Sequence, residues 1–150
     1  MASQPVANSI GWAARAGAGL VAMISLAVLI LAAVLKPDPA GHGTHRRLGL
    51  PPCGWVVALG KPCPTCGMTT AFAHAAQGRP GYALWAQPAG ALMALLTAAG
   101  FWSAVHVAVF GSRVGSLLAK TLRARILWPG LGVLVASWVY KMIVWNEFQS

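Results

Sequence analysis

The chain has 150 residues, enough for one domain and short for two. Hydrophobic residues make up 57% of it and charged residues only 9%, against about 25% charged in an average soluble domain. So few charges cannot cover a water-facing surface, which excludes an ordinary soluble domain. The net charge of +9 comes from eleven Lys and Arg against Asp38 and Glu147, and those basic residues lie between long apolar runs. Lipid headgroups would meet them there. Nucleic acid, which needs a clustered basic face, is not the expected partner.

Residues 1–12 are polar and small, and end in Trp12, an expected interfacial anchor. From Ala16 to Leu35 no residue is charged. At about 1.5 Å per residue this run reaches roughly 30 Å, the thickness of a bilayer core. The apolar part of a cleaved signal peptide is shorter, about 7–15 residues, so a retained transmembrane helix is the reading adopted. Lys36-Pro37-Asp38-Pro39 ends it, because proline removes a donor and disfavours helix before it. The next loop carries His42 and His45 beside Arg46 and Arg47. In so glycine-rich and basic a loop the two histidines read as solvated, with metal ligation as the alternative.

The segment from Leu50 to Gly60 holds Cys53, and its apolar part is too short to span. It suits an interfacial or re-entrant piece, which must pack on the other helices to satisfy its backbone. Cys63 and Cys66 follow in a Cys-x-x-Cys spacing. Gly78 then reads as a helix stop and Pro80 as the first turn of the next helix. Tyr82, Trp85 and Gln87 mark an interfacial approach to a second uncharged span, Ala89 to Phe110, with His106 near its far end. There the histidine is read as meeting headgroups. After a basic loop with Arg113, Lys120, Arg123 and Arg125, a third span runs from Ile126 to Trp145. Trp128, Trp138, Tyr140 and Trp145 are its expected belt residues, and Lys141 is expected to snorkel. Gly132 and Ala136 fit a close helix contact. Four basic residues in one short loop place that loop in the cytoplasm and the cysteine region on the outer side.

The chemistry concentrates in Gly60 to Gln77. Pro64 suits the start of a helix with Cys63 near its N-cap, where the positive end of the helix dipole would favour a thiolate. If that helix continues, Cys66, Thr70 and His74 recur every four residues and share a face. Three readings stay open. Cys53, Cys63, Cys66 and His74 form a tetrahedral metal site, with zinc as the expected ion. Cys63 and Cys66 are a redox dithiol with Cys53 as exchange partner. Or the cysteines are packing thiols or a structural disulfide. Covalent haem attachment is excluded, because Gly67 stands where Cys-x-x-Cys-His needs histidine.

Pro62-Cys-Pro-Thr-Cys-Gly-Met-Thr-Thr-Ala-Phe, a glycine break, and then Gln87-Pro88 opening an apolar helix together resemble a bacterial membrane family known as domain of unknown function 2752. The resemblance covers about Leu48 to Leu96. Members typically carry an arginine after the motif's threonine and an asparagine before the later proline, where this chain has Thr70 and Gln87. It implies a small bacterial inner-membrane protein in which Cys63, Cys66, Gly67 and Thr69 act as a unit, and it implies no reaction.

The expected fold is a single all-α integral membrane domain over residues 1–150. It has three transmembrane helices, about 16–35, 89–110 and 126–145, and a re-entrant or interfacial cysteine-bearing helical hairpin within 48–88. The expected function is that of a membrane component whose motif is a structural or metal-binding element, for assembly with a membrane partner. The alternative is a membrane thiol–disulfide oxidoreductase using Cys63 and Cys66.

Overall fold

A computed structural model describes residues 10–112 and 127–145. Arg113, Lys120, Arg123 and Arg125, on which the expected orientation rests, lie outside the described residues, as do Ile126 and Glu147. The described chain is all-helical. Its elements are α1 (Trp12–Val34), a 3-10 turn (Thr44–Leu48), α2 (Gly54–Leu59), α3 (Met68–Ala76), α4 (Pro80–Ala86), α5 (Pro88–Phe110) and α6 (Leu127–Ile143).

Helices α1 and α5 are each 23 residues, and each contains a stretch long and apolar enough to cross a bilayer. At about 1.5 Å per residue each reaches roughly 35 Å. Neither is mostly buried, as the core helix of a water-soluble fold would be. Met23 is 70% exposed, Leu95 67% and Phe110 70%, and only two residues of α1 are buried. The two helices run antiparallel. The Ile10 N–H donates to Gly111 O at 3.2 Å, and Arg15 donates through Nε and Nη2 to Ala108 and Val109 O at 3.0 and 2.9 Å. Arg15 thereby satisfies carbonyls that the last turn of α5 leaves unpaired. At the opposite end Gln77 Nε2 donates to Leu35 O at 2.9 Å, tying α3 to the end of α1.

The described part of the third expected span, α6, has 17 residues, somewhat fewer than the about 20 that a span takes. Residues 128–132 are exposed, and a side chain at Gly132 would meet open space. The expected close contact through Gly132 and Ala136 is therefore not made among the described residues. The buried face of α6 is instead Ser137 and Lys141, one turn apart, continued by Trp145. Ser137 Oγ accepts the Ala89 N–H at 2.9 Å, which ties the end of α6 to the start of α5.

Four short helical pieces fill the interval between α1 and α5. Pro80 and Pro88 stand in the first turns of α4 and α5, where a missing N–H costs nothing. The core here is built of alanines: Ala71, Ala83, Ala86 and Ala91 pack together. Small side chains allow helix backbones to approach closely, and Gly90 shows how closely. A Cβ there would lie 2.9 Å from Ala71 Cβ and 3.1 Å from Met68 Cα.

Candidate metal centre

Two segments that are separate in sequence deliver three thiols to the same point. Cys53 lies at the N-cap of α2, while Cys63 and Cys66 lie in the turn that precedes α3. Cys63 Sγ and Cys66 Sγ are 3.1 Å apart, and Cys66 Sγ and Cys53 Sγ are 3.5 Å apart. All three sulfurs lie within 4.8 Å of one another, and none is in a disulfide. A tetrahedral ion with metal–sulfur bonds of about 2.3 Å would hold its thiolates roughly 3.8 Å apart. The triad is within a few tenths of an ångström to an ångström of that spacing, with the two shorter separations below it.

The expected helix from Pro64 onward does not form. Residues 64–67 are turns, and α3 begins only at Met68, with Gly67 at its N-cap in the left-handed region at φ +90°. The position at a helix start belongs to Cys53 rather than Cys63. Burial raises the Cys53 thiol, but the backbone N–H groups of Val56 and Trp55 and the thiols of Cys63 and Cys66 outweigh it and hold it below the ordinary thiol range. Cys66 is 7% exposed, and burial, reinforced by the Cys63 thiol, pushes it well up. Neighbouring sulfurs thus differ sharply in readiness to ionise. A cation among them would remove that difference by favouring the thiolate at all three.

The helix start at Met68 also decides the fate of His74. Thr70 and His74 do share a face of α3, but Cys66 is not on that helix. The ring of His74 stacks on Tyr82 at 5.5 Å, and the histidine is not brought to the three sulfurs. Thr70 is fully buried and its hydroxyl meets that of Thr44 at 2.8 Å. Thr44 Oγ1 also accepts the Asp38 N–H at 3.0 Å, so this pair fastens the loop after α1 to α3.

Lys141, expected to snorkel, is fully buried and is the largest side chain so enclosed. Its ammonium donates to Gly41 O at 3.1 Å and to Ala86 O at 2.9 Å, which joins the histidine loop to the end of α4. Gly67 sits on the same node. A Cβ there would come within 2.8 Å of both carbonyl oxygens and 3.3 Å of the ammonium nitrogen. The glycine after Cys66 is therefore needed both for its backbone conformation and for lack of space. Expected belt residues serve the same end of the molecule. Trp138 Nε1 donates to Pro62 O at 3.1 Å, Trp145 Nε1 to Gly60 O at 2.9 Å, and Tyr140 Oη to Trp85 O at 3.3 Å. Gln87 is buried, and its Nε2 donates to Pro64 O at 3.1 Å, inside the cysteine turn. The four-residue recurrence of Ser137, Lys141 and Trp145 was the available sign that this polar face turns inward.

The thiols open on a cavity of about 570 Å³, whose wall also carries Asp38, His42, His45 and Arg46. Neither histidine is simply solvated. His42 is half-buried, with Nδ1 2.7 Å from Ala40 O and its ring 4.7 Å from that of Trp145. His45 Nε2 is 3.2 Å from Pro51 O. His106, in contrast, is exposed and, among the described residues, meets Ser112 and Phe110 at the far end of α5.

Residues 53–101 match the family described as Protein of unknown function (DUF2752). That stretch contains all three cysteines, the Gly67 node, Gln87 and the first half of α5, so the resemblance carried by the motif holds. No curated protein and no solved structure matches the chain.

Proposed function

We propose that this chain is a small integral membrane protein whose Cys-Pro-x-Cys-Gly turn, together with Cys53, forms a three-thiolate zinc-binding centre used in assembly with a membrane partner. The observation that carries the reading is the convergence of the three sulfurs within 4.8 Å. Thiolates are the preferred ligands of structural zinc, and binding free energy at such a centre is folding free energy. Lys141, Gln87 and Trp138 brace the turn from outside, a supporting shell of the kind that orients ligands. The membrane part of the reading takes α1 and α5 as two spans and α6, extended to residues 126–145, as the third. The cysteine segment is then an interfacial or re-entrant hairpin on the outer side of a bacterial inner membrane. Metal analysis of the detergent-purified chain tests the centre. One zinc per chain is expected, with three thiols that alkylate only after chelation. Cys63→Ser and Cys66→Ser should each abolish the zinc and lower folded yield; a wild-type chain without metal and with three freely reactive thiols would refute the reading.

A second reading rests on the 3.1 Å approach of Cys63 Sγ to Cys66 Sγ. In that case the dithiol reduces a substrate disulfide to two thiols and itself becomes the Cys63–Cys66 disulfide, with Cys53 able to attack Cys66 and release Cys63. A metal-free wild-type chain that gains two alkylation sites on reduction would favour it.

A further inference from the structure

Closed structural zinc centres have four protein ligands, whereas sites that exchange a ligand keep the fourth position open. Among the described residues no fourth Cys, His, Asp or Glu joins the three cysteines at ligand distance. His42 and His45 reach the cavity wall with one ring nitrogen each turned to a backbone carbonyl. The three sulfurs instead face a volume of about 570 Å³, in the size range of small-molecule sites. Resting on the zinc reading above, we propose that the fourth position opens to this cavity and takes the thiolate of a small mercapto-acid, with Arg46 on the rim pairing with the ligand's carboxylate.

The donor type follows from the centre, since a soft thiolate suits a site already built of thiolates. The acid follows from charge. Zinc with three thiolates carries a net −1, so a second anionic group on the ligand needs a cation close by. Among the described residues the cavity wall carries one acid beside Arg46, Asp38, whose Oδ1 already accepts the Ala40 N–H at 3.0 Å. A guanidinium matches a carboxylate in two-point geometry. Binding is a ligand exchange with no redox change. The incoming thiol gives its proton to water through the open cavity, its sulfur donates a lone pair to the metal, and the water held there leaves.

The test uses the full chain in detergent, loaded with cobalt(II) in place of zinc, because tetrahedral cobalt–thiolate centres absorb in the visible. Titration with mercaptoacetate should change the cobalt bands saturably while cobalt content after desalting stays constant. Arg46→Gln should weaken mercaptoacetate roughly fivefold, as for an exposed ion pair, and leave 2-mercaptoethanol unchanged. A spectrum indifferent to mercaptoacetate would overturn the proposal, as would equal weakening of both thiols by Arg46→Gln. An altered starting spectrum in His42→Ala would also overturn it, because His42 would then hold the fourth position. A chain that takes up neither cobalt nor zinc removes the zinc centre itself. One that holds cobalt but ignores the ligand removes only this inference.

Discussion

The two parts of α5 show two kinds of surroundings along one helix. Its first turns bury Ala89, Gly90, Ala91 and Ala94 against α3 and α4 and hand a backbone N–H to Ser137. A few residues on, Leu95 is 67% exposed and Trp102 69%, with large apolar side chains pointing away from the protein. At the cysteine end, buried Lys141, Thr70 and Ser137 and the Nε2 of Gln87 are paired, and alanines bring backbones together. Gln87 Oε1 and His74 Nδ1 have no hydrogen-bond partner among the described residues. Along the middle, apolar groups are exposed and polar groups nearly absent. Stability at the cysteine end is therefore specific and breakable by single atoms. In the middle it is generic, because the exposed apolar side chains make few specific contacts among the described residues.

The sharpest break of this contrast is Lys141→Met, which keeps the length of the side chain and removes its three donors. Two buried carbonyls lose a charged partner, so the loss should be about 3 kcal/mol, or about 10 °C in a detergent thermal melt. Gly67→Ala should come next, at about 2 kcal/mol, for a left-handed backbone and a contact that cannot relax without moving Gly41 and Ala86. Because Gly67 adjoins Cys66, bound zinc should fall below one per chain in the same sample. The smallest effect is expected at Leu95→Ala, within about 0.5 kcal/mol in detergent. A Leu95→Ala loss as large as that of Lys141→Met would mean that the middle of α5 packs specifically on a second protein, and the contrast between the two regions would fail.

Much of the frame was legible because its signals are local. Proline at 37 and 39, Gly78, Pro80 and the Gln87-Pro88 pair act through covalent geometry, and the helices stop and start where those residues direct. Uncharged runs of adequate length became α1 and α5 for the same reason: no local alternative satisfies their backbone. The convergence of Cys53 with Cys63 and Cys66 was within reach of the sequence as one of several options. The misreadings share a cause. A helix from Pro64 was reasonable by local rules, but Gly67 turns left-handed to fit beneath the Lys141 node, and that moves Cys66 off the face of Thr70 and His74.

The sequence by itself determined the helical class, the positions of the long apolar helices and the place of the cysteine turn between them, because these depend on hydropathy, length and proline and glycine geometry. Only the tertiary structure decided which side chains close around that turn. Lys141, Trp145 and Gln87 look like interfacial residues in a list of types. Each becomes a brace once α6 folds back against the start of α5, because a buried carbonyl must find a donor and nothing nearer in the chain supplies one.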